Sequence, residues 1–136
     1  MTNLQAAIGL AQLRKIDKFI HKKRQIAGWY NDGLKELADR GLITLHPEMK
    51  WAKCVYWMYS IILHNKFGMP INKLIKRFEK KEIEVRPFFY PIHKMPLYLT
   101  GDVFQVAETL AMNGINLPSS VCLTNNETDK ISKTFF

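Results

Sequence analysis

Apolar residues at Leu4, Ile8, Ala11, Ile16, Ile20, Ala27, Tyr30, Leu34 and Leu37 recur at roughly helical spacing, with mostly polar residues between them. That period predicts one long helix over 2–40. Thr2 and Gln5 form T-x-x-Q, a capping box in which the hydroxyl meets an early backbone N–H and the amide reaches back. Gly28 and Gly33 weaken the second half, where a kink is expected. Gly41 is placed to end the helix in a left-handed conformation.

The pattern then changes period. Residues 43–45 read as a short strand stopped by Pro47. Residues 54–64, Cys-Val-Tyr-Trp-Met-Tyr-Ser-Ile-Ile-Leu-His, form a near-continuous β-branched and aromatic run suited to a buried strand. Pro70 opens a second helix over 71–81, with Leu74, Ile75 and Phe78 on one face. Ile83 and Val85 alternate with Glu82, Glu84 and Arg86, a third strand that Pro87 ends. Residues 87–101 hold three prolines and four aromatics in a stiff, irregular segment. A third helix over about 103–112 stops at Asn113-Gly114, and 117–120 read as a loop. Thr124 and Glu127 make a second capping box for a last helix from Asn125 to about Lys133. The order helix, strand, strand, helix, strand, helix, helix predicts an α+β architecture, helices packed on one face of a small sheet.

Composition narrows this picture only a little. With 136 residues and 47% hydrophobic content, the chain suits one domain with a real core. No run of about eighteen apolar residues could span a membrane, and no basic region leads an apolar stretch at Met1-Thr2-Asn3-Leu4, so a cytoplasmic protein is expected. The net charge of +8 favours a polyanion, whether nucleic acid, anionic membrane or phosphorylated small substrate. Cys54 and Cys122 lack the spacing of a metal site, and the expectation is two reduced thiols in or near the core.

Candidate chemistry concentrates at 86–98, where Arg86, Tyr90, His93, Lys94 and Tyr98 place cationic and hydrogen-bonding groups on a proline-stiffened backbone. The segment reads equally as a solvated loop covering a core edge. His93 has no nucleophile or metal partner near in sequence and suits a hydrogen bond to an oxygen-rich ligand better than a catalytic base. Arg14, Lys15, Lys18, Lys22, Lys23 and Arg24 make the first helix basic on its outer side. A solvated face explains that charge more simply than a nucleic-acid surface does. No phosphate-binding glycine loop, zinc spacing or Ser-His-Asp order occurs.

The opening Met-Thr-Asn-Leu-Gln-Ala-Ala-Ile-Gly-Leu-Ala-Gln-Leu, the run from Lys22-Lys23-Arg24 to Tyr30, the strand 56–63, Ile83-Glu84-Val85-Arg86-Pro87-Phe88-Phe89-Tyr90-Pro91-Ile92-His93 and Asn116-Leu117-Pro118-Ser119-Ser120 follow one another in a familiar order. Together they resemble the DegT/DnrJ/StrS aminotransferases, their perosamine-synthetase-like members most. The resemblance implies the small domain of a fold-type-I, pyridoxal-phosphate-dependent aminotransferase, with a mostly antiparallel sheet. It implies a connecting helix at 1–41 and a small domain at 42–136, in one compact unit.

The family forms homodimers and moves an amino group from glutamate to a 4-keto-6-deoxy sugar nucleotide. That chemistry needs a Schiff-base lysine and a carboxylate at the pyridine nitrogen. In the family both lie upstream of the position matching Met1. No catalytic residue, and no cofactor bound to the chain alone, is therefore expected, and by itself the chain should be inactive. A truncated or split gene is the expected origin. Arg86, Tyr90 and His93 would line the sugar-nucleotide side of the cleft, giving the positive charge a use. Alternatives are an assembly module completing a separate large domain and a basic nucleic-acid-binding domain. An exposed helix stripe predicts a homo-oligomer, formed by exchange of the first helix. Glu82 stands where the family commonly has glycine, which questions the turn geometry there.

Overall fold

Both capping boxes form. In the computed structural model, which describes residues 1–136, the Gln5 N–H donates to Thr2 Oγ1 at 3.3 Å and the Thr2 N–H to Gln5 Oε1 at 2.8 Å. The Thr124–Glu127 pair repeats the arrangement at 3.3 and 2.8 Å. The helix expected over 2–40 is three helices: α1 (Asn3–Leu13), α2 (Ile16–Gly33) and α3 (Lys35–Asp39). The second break falls beside Gly33, as the glycine pair suggested, while α2 runs unbroken through Gly28. The first break, at Arg14-Lys15, has neither glycine nor proline to announce it. Gly33 serves a different need. A Cβ there would lie 2.7 Å from Ser132 Oγ, so the glycine lets α2 touch the last helix.

The strands are β1 (Ile43–Thr44), β2 (Tyr59–Leu63), β3 (Arg86–Pro87) and β4 (Gly114–Leu117). They form one antiparallel sheet in the order β1-β2-β4-β3. The remaining helices are α4 (Ile71–Glu79), α5 (Gln105–Asn113) and α6 (Asn125–Ser132). Three expectations need correction. The strand expected over 54–64 pairs only from Tyr59, because Tyr56 adopts a positive φ of 48° and turns the chain. The third strand pairs at Arg86–Pro87 and not before them. Proline is tolerated because β3 is an edge. β4, read from sequence as a helix end and a loop, is a central strand between β2 and β3.

Register sorts the sheet into two faces. Tyr59, Ile61 and Leu63 lie with Leu117, Ile115 and Ile43 on one face. That face packs on Ile26, Tyr30 and Leu34, on Leu74 and Phe78 of α4, and on Ile131 of α6. Burying one such side chain contributes roughly 1.5–3 kcal/mol. At the centre Tyr30 stacks on Tyr59 with centroids 4.7 Å apart. Tyr30 Oη donates to the Pro118 carbonyl at 2.7 Å and Tyr59 Oη to Asn31 Oδ1 at 2.5 Å, so neither buried phenol lacks a partner. Burial pushes both phenols far above their ordinary pKa.

The other face carries Ser60, Asn116 and Arg86 in register. Ser60 Oγ donates to Asn116 Oδ1 at 2.7 Å, and Asn116 Nδ2 to the Pro87 carbonyl at 3.3 Å. α1 stands apart, with no buried residue.

Candidate functional site

The polar face of the sheet opens into a hollow of about 710 Å³ lined by Met58, Arg86, Phe88, Tyr90, Ala111 and Asn116, among others. Its shape depends on one glycine. A Cβ on Gly114 would fall 2.3–2.4 Å from Phe88 ring atoms, so the ring lies flush against β4 only because the position is bare. The Phe88 N–H donates to the Gly114 carbonyl at 3.1 Å and fixes that approach. Asn116, tied to Ser60 and Pro87, is held rigidly in the lining.

Arg86 and Tyr90 meet here, both exposed. Arg86 Nε donates to Glu84 Oε1 at 2.9 Å, and Nη2 donates to the same oxygen. An exposed pair of this kind is weak in water, so an anionic group can compete for the guanidinium. His93 lies elsewhere. Its side chain is 12% exposed and its Nε2 sits 3.0 Å from Glu108 Oε1. Its ring meets Phe104 edge-on at 4.7 Å. It lines a second hollow, of about 480 Å³, with Tyr98, Asp102 and Phe104. The structure therefore brings two of the three sequence-designated residues together and sets the third on an adjoining wall. Lys94 is 3.1 Å from Glu108 Oε2. Glu108 gave no signal in the sequence beyond being one acid on a short helix.

The basic side of the first helices is not a simple outer face. Lys23 turns inward, its ammonium donating to the Trp57 carbonyl at 2.9 Å and to the Ser119 carbonyl. Burial lowers its pKa. Arg24 Nη1 and Nη2 reach Glu48 Oε1 and Oε2 at 2.6 and 3.1 Å, and Nη1 also reaches the Cys54 carbonyl at 2.6 Å. Chiefly through the Arg24 hydrogen bond, the Glu48 pKa is lowered to about 2. Glu48 also accepts from the Cys54 N–H at 2.9 Å and from Tyr56 Oη at 3.5 Å, organising the turn that delays the expected strand to Tyr59. Lys22 lies 4.4 Å from the Trp29 ring centroid. Three of the six cations read as a basic stripe are thus engaged within the fold. The thiol expectation is corrected at Cys122, which is exposed. Cys54 is half-buried, with Sγ 3.5 Å from His46 Nε2.

A pyridoxal phosphate site requires an imine-forming amine with a carboxylate for the ring nitrogen. Lys22, Lys23 and Lys94 are the partly buried lysines, and the Trp29 ring, two backbone carbonyls and Glu108 respectively engage them.

The model of the DegT/DnrJ/EryC1/StrS aminotransferase family matches residues 1–136. The chain is 36% identical over 133 residues to a GDP-perosamine synthase of Caulobacter vibrioides, covering 96% of this chain and 35% of that protein. It is 41% identical over 130 residues to the GDP-perosamine synthase of Escherichia coli O157:H7, covering 93% of this chain and 33% of that one. Among solved structures, the Helicobacter pylori aminotransferase PseC superposes with a TM-score of 0.85 at 27% identity, over 96% of this chain and 35% of that chain. The chain spans about a third of the length of the relatives it matches.

Proposed function

The chain belongs to the DegT/DnrJ/EryC1/StrS aminotransferase family, and from that membership we propose that it is the C-terminal, sugar-facing part of a nucleotide-sugar aminotransferase. The observation that carries this reading is the match along all 136 residues. Arg86 supplies a planar cation for a diphosphate oxygen, and Tyr90 a hydroxyl, on the rim of one hollow. His93 supplies a second wall. The net charge of +8 draws an anionic substrate to the chain. The same reading goes with a cytoplasmic protein acting on a 4-keto-6-deoxy sugar nucleotide with glutamate as amino donor.

Amino transfer itself is not assigned to these residues, since none seats pyridoxal phosphate, whose ring would supply the electron sink. The chain alone is therefore inactive and works, if assembled, beside a large domain that holds the cofactor. α1 favours such assembly, because Leu4 and Ile8, on one face of the helix, are each more than half exposed. An apolar stripe of this kind is covered by another copy or by that domain.

Purified chain incubated with pyridoxal phosphate, glutamate and a GDP-linked keto sugar should show neither a covalent cofactor absorbance band nor turnover. Adding a relative's separately expressed large domain should restore transamination. Covalent cofactor and turnover in the lone chain would overturn the reading.

A further inference from the structure

The segment from Pro91 to Phe104 has little structure of its own. Two single-turn helices, Ile92–Lys94 and Pro96–Tyr98, are held by short local bonds. Both ends of the segment nevertheless converge on one carboxylate. Glu108, in the first turn of α5, has Oε1 3.0 Å from His93 Nε2 and accepts the Phe104 N–H at 3.3 Å on the same oxygen. Its Oε2 lies 3.1 Å from the Lys94 ammonium. The Phe104 ring closes on His93 from the far end of the segment. Phe104 is also the N-cap of α5 and has no side-chain cap of its own, so the carboxylate doubles as the acceptor at that helix start.

We propose that Glu108 is the positioning residue of the sugar-facing wall, closing 91–104 into a loop and fixing which edge of His93 a ligand can meet. The inference rests on the sugar-facing reading above. Against a carboxylate, which only accepts, His93 Nε2 must be the donor. A neutral imidazole then keeps a single lone pair, on Nδ1. In that neutral form His93 offers an acceptor, which suits a sugar hydroxyl, whereas Arg86 offers donors and suits a phosphate. Hydrogen bonds from His93 and then Lys94 hold the Glu108 carboxyl below its ordinary pKa, in keeping with an ionised clamp at neutral pH. α5 buries no residue, so the clamp can be removed without opening the core.

The test is proton exchange by NMR on the ¹⁵N-labelled 136-residue chain. The wild-type chain should show a slowly exchanging His93 Nε2–H and a protected Phe104 amide. Glu108→Ala should speed both by about tenfold or more, leaving the Ile61 and Ile115 amides unchanged. Glu108→Gln, which keeps an acceptor oxygen but loses the charge, should restore part of the protection. A titration with GDP-mannose should move the His93 ring signals of wild type and bind Glu108→Ala about tenfold more weakly. Slow His93 exchange persisting in Glu108→Ala, protection lost equally from the core strands, or equal GDP-mannose affinity in the two proteins would overturn the proposal. If GDP-mannose leaves every wild-type signal unmoved, the sugar-facing reading fails, and the exchange rates still decide the clamp.

Discussion

α1 and α2 follow one another in the chain, both carry apolar side chains at helical spacing, and they end in opposite environments. α2 buries Ile26, Ala27 and Tyr30 against the sheet and α6, and sends Lys23 and Arg24 inward to carbonyls and Glu48. α1 buries nothing, although it is the more apolar of the two by sequence. Apolar content does not decide burial by itself. A facing surface is also required, and these 136 residues supply one only to α2. The value of an apolar stripe is thus set by what lies opposite it, and for α1 that is the partner proposed above.

The sharpest break in the comparison is Tyr30→Ala, which removes the ring stacked on Tyr59 and should cost about 3–5 kcal/mol in urea unfolding. Ile8→Ala in α1 should stay within about 0.5 kcal/mol while reducing self-association in sedimentation. Equal losses at both sites would show that α1 is packed after all.

Gly114→Ala carries the contrast to the other face of the sheet. The new methyl must displace the Phe88 ring, for a loss of about 1–3 kcal/mol, with Arg86 and Tyr90 signals shifting in NMR. Glu82→Gly should go the other way. Glu82 holds φ at 59°, and relieving that strain should stabilise by about 0.5–1 kcal/mol in the same denaturation assay. Position 82 is therefore a strained turn that this chain tolerates.

The smallest effect concerns the Arg24–Glu48 pair that anchors α2. Because the Glu48 pKa is lowered from 4.5 to about 2, its contribution is fully present above about pH 4.5 and fades as pH falls towards 2. Acid titration followed by circular dichroism should show a shallower loss over that window in Glu48→Gln than in wild type. The pair is partly open to water, so the difference is modest.

Much of this was legible from residue order. Thr2 with Gln5 and Thr124 with Glu127 mark two helix starts because capping is settled within four residues. The stripe through Ala27, Tyr30 and Leu34 identifies the buried helix face, and Arg86 with Tyr90 reach the same hollow because they lie four residues apart on one stiff segment. β4 was not legible. Gly114-Ile115-Asn116-Leu117 mixes two poor strand formers with two good ones, and it becomes a strand because β2 and β3 offer hydrogen bonds on both sides. The inward turn of Lys23 was equally hidden, since its partners are carbonyls 34 and 96 residues away.

Sequence alone determined the capped helix starts, the apolar stripe of α2, the excess of positive charge and the family resemblance, all of which depend on residue identity or short spacing. Tertiary structure decided the central strand, the inward cations, the separation of His93 from Arg86 and the contacts of Glu108. Each of those depends on groups far apart in the chain, whose meeting no local period encodes.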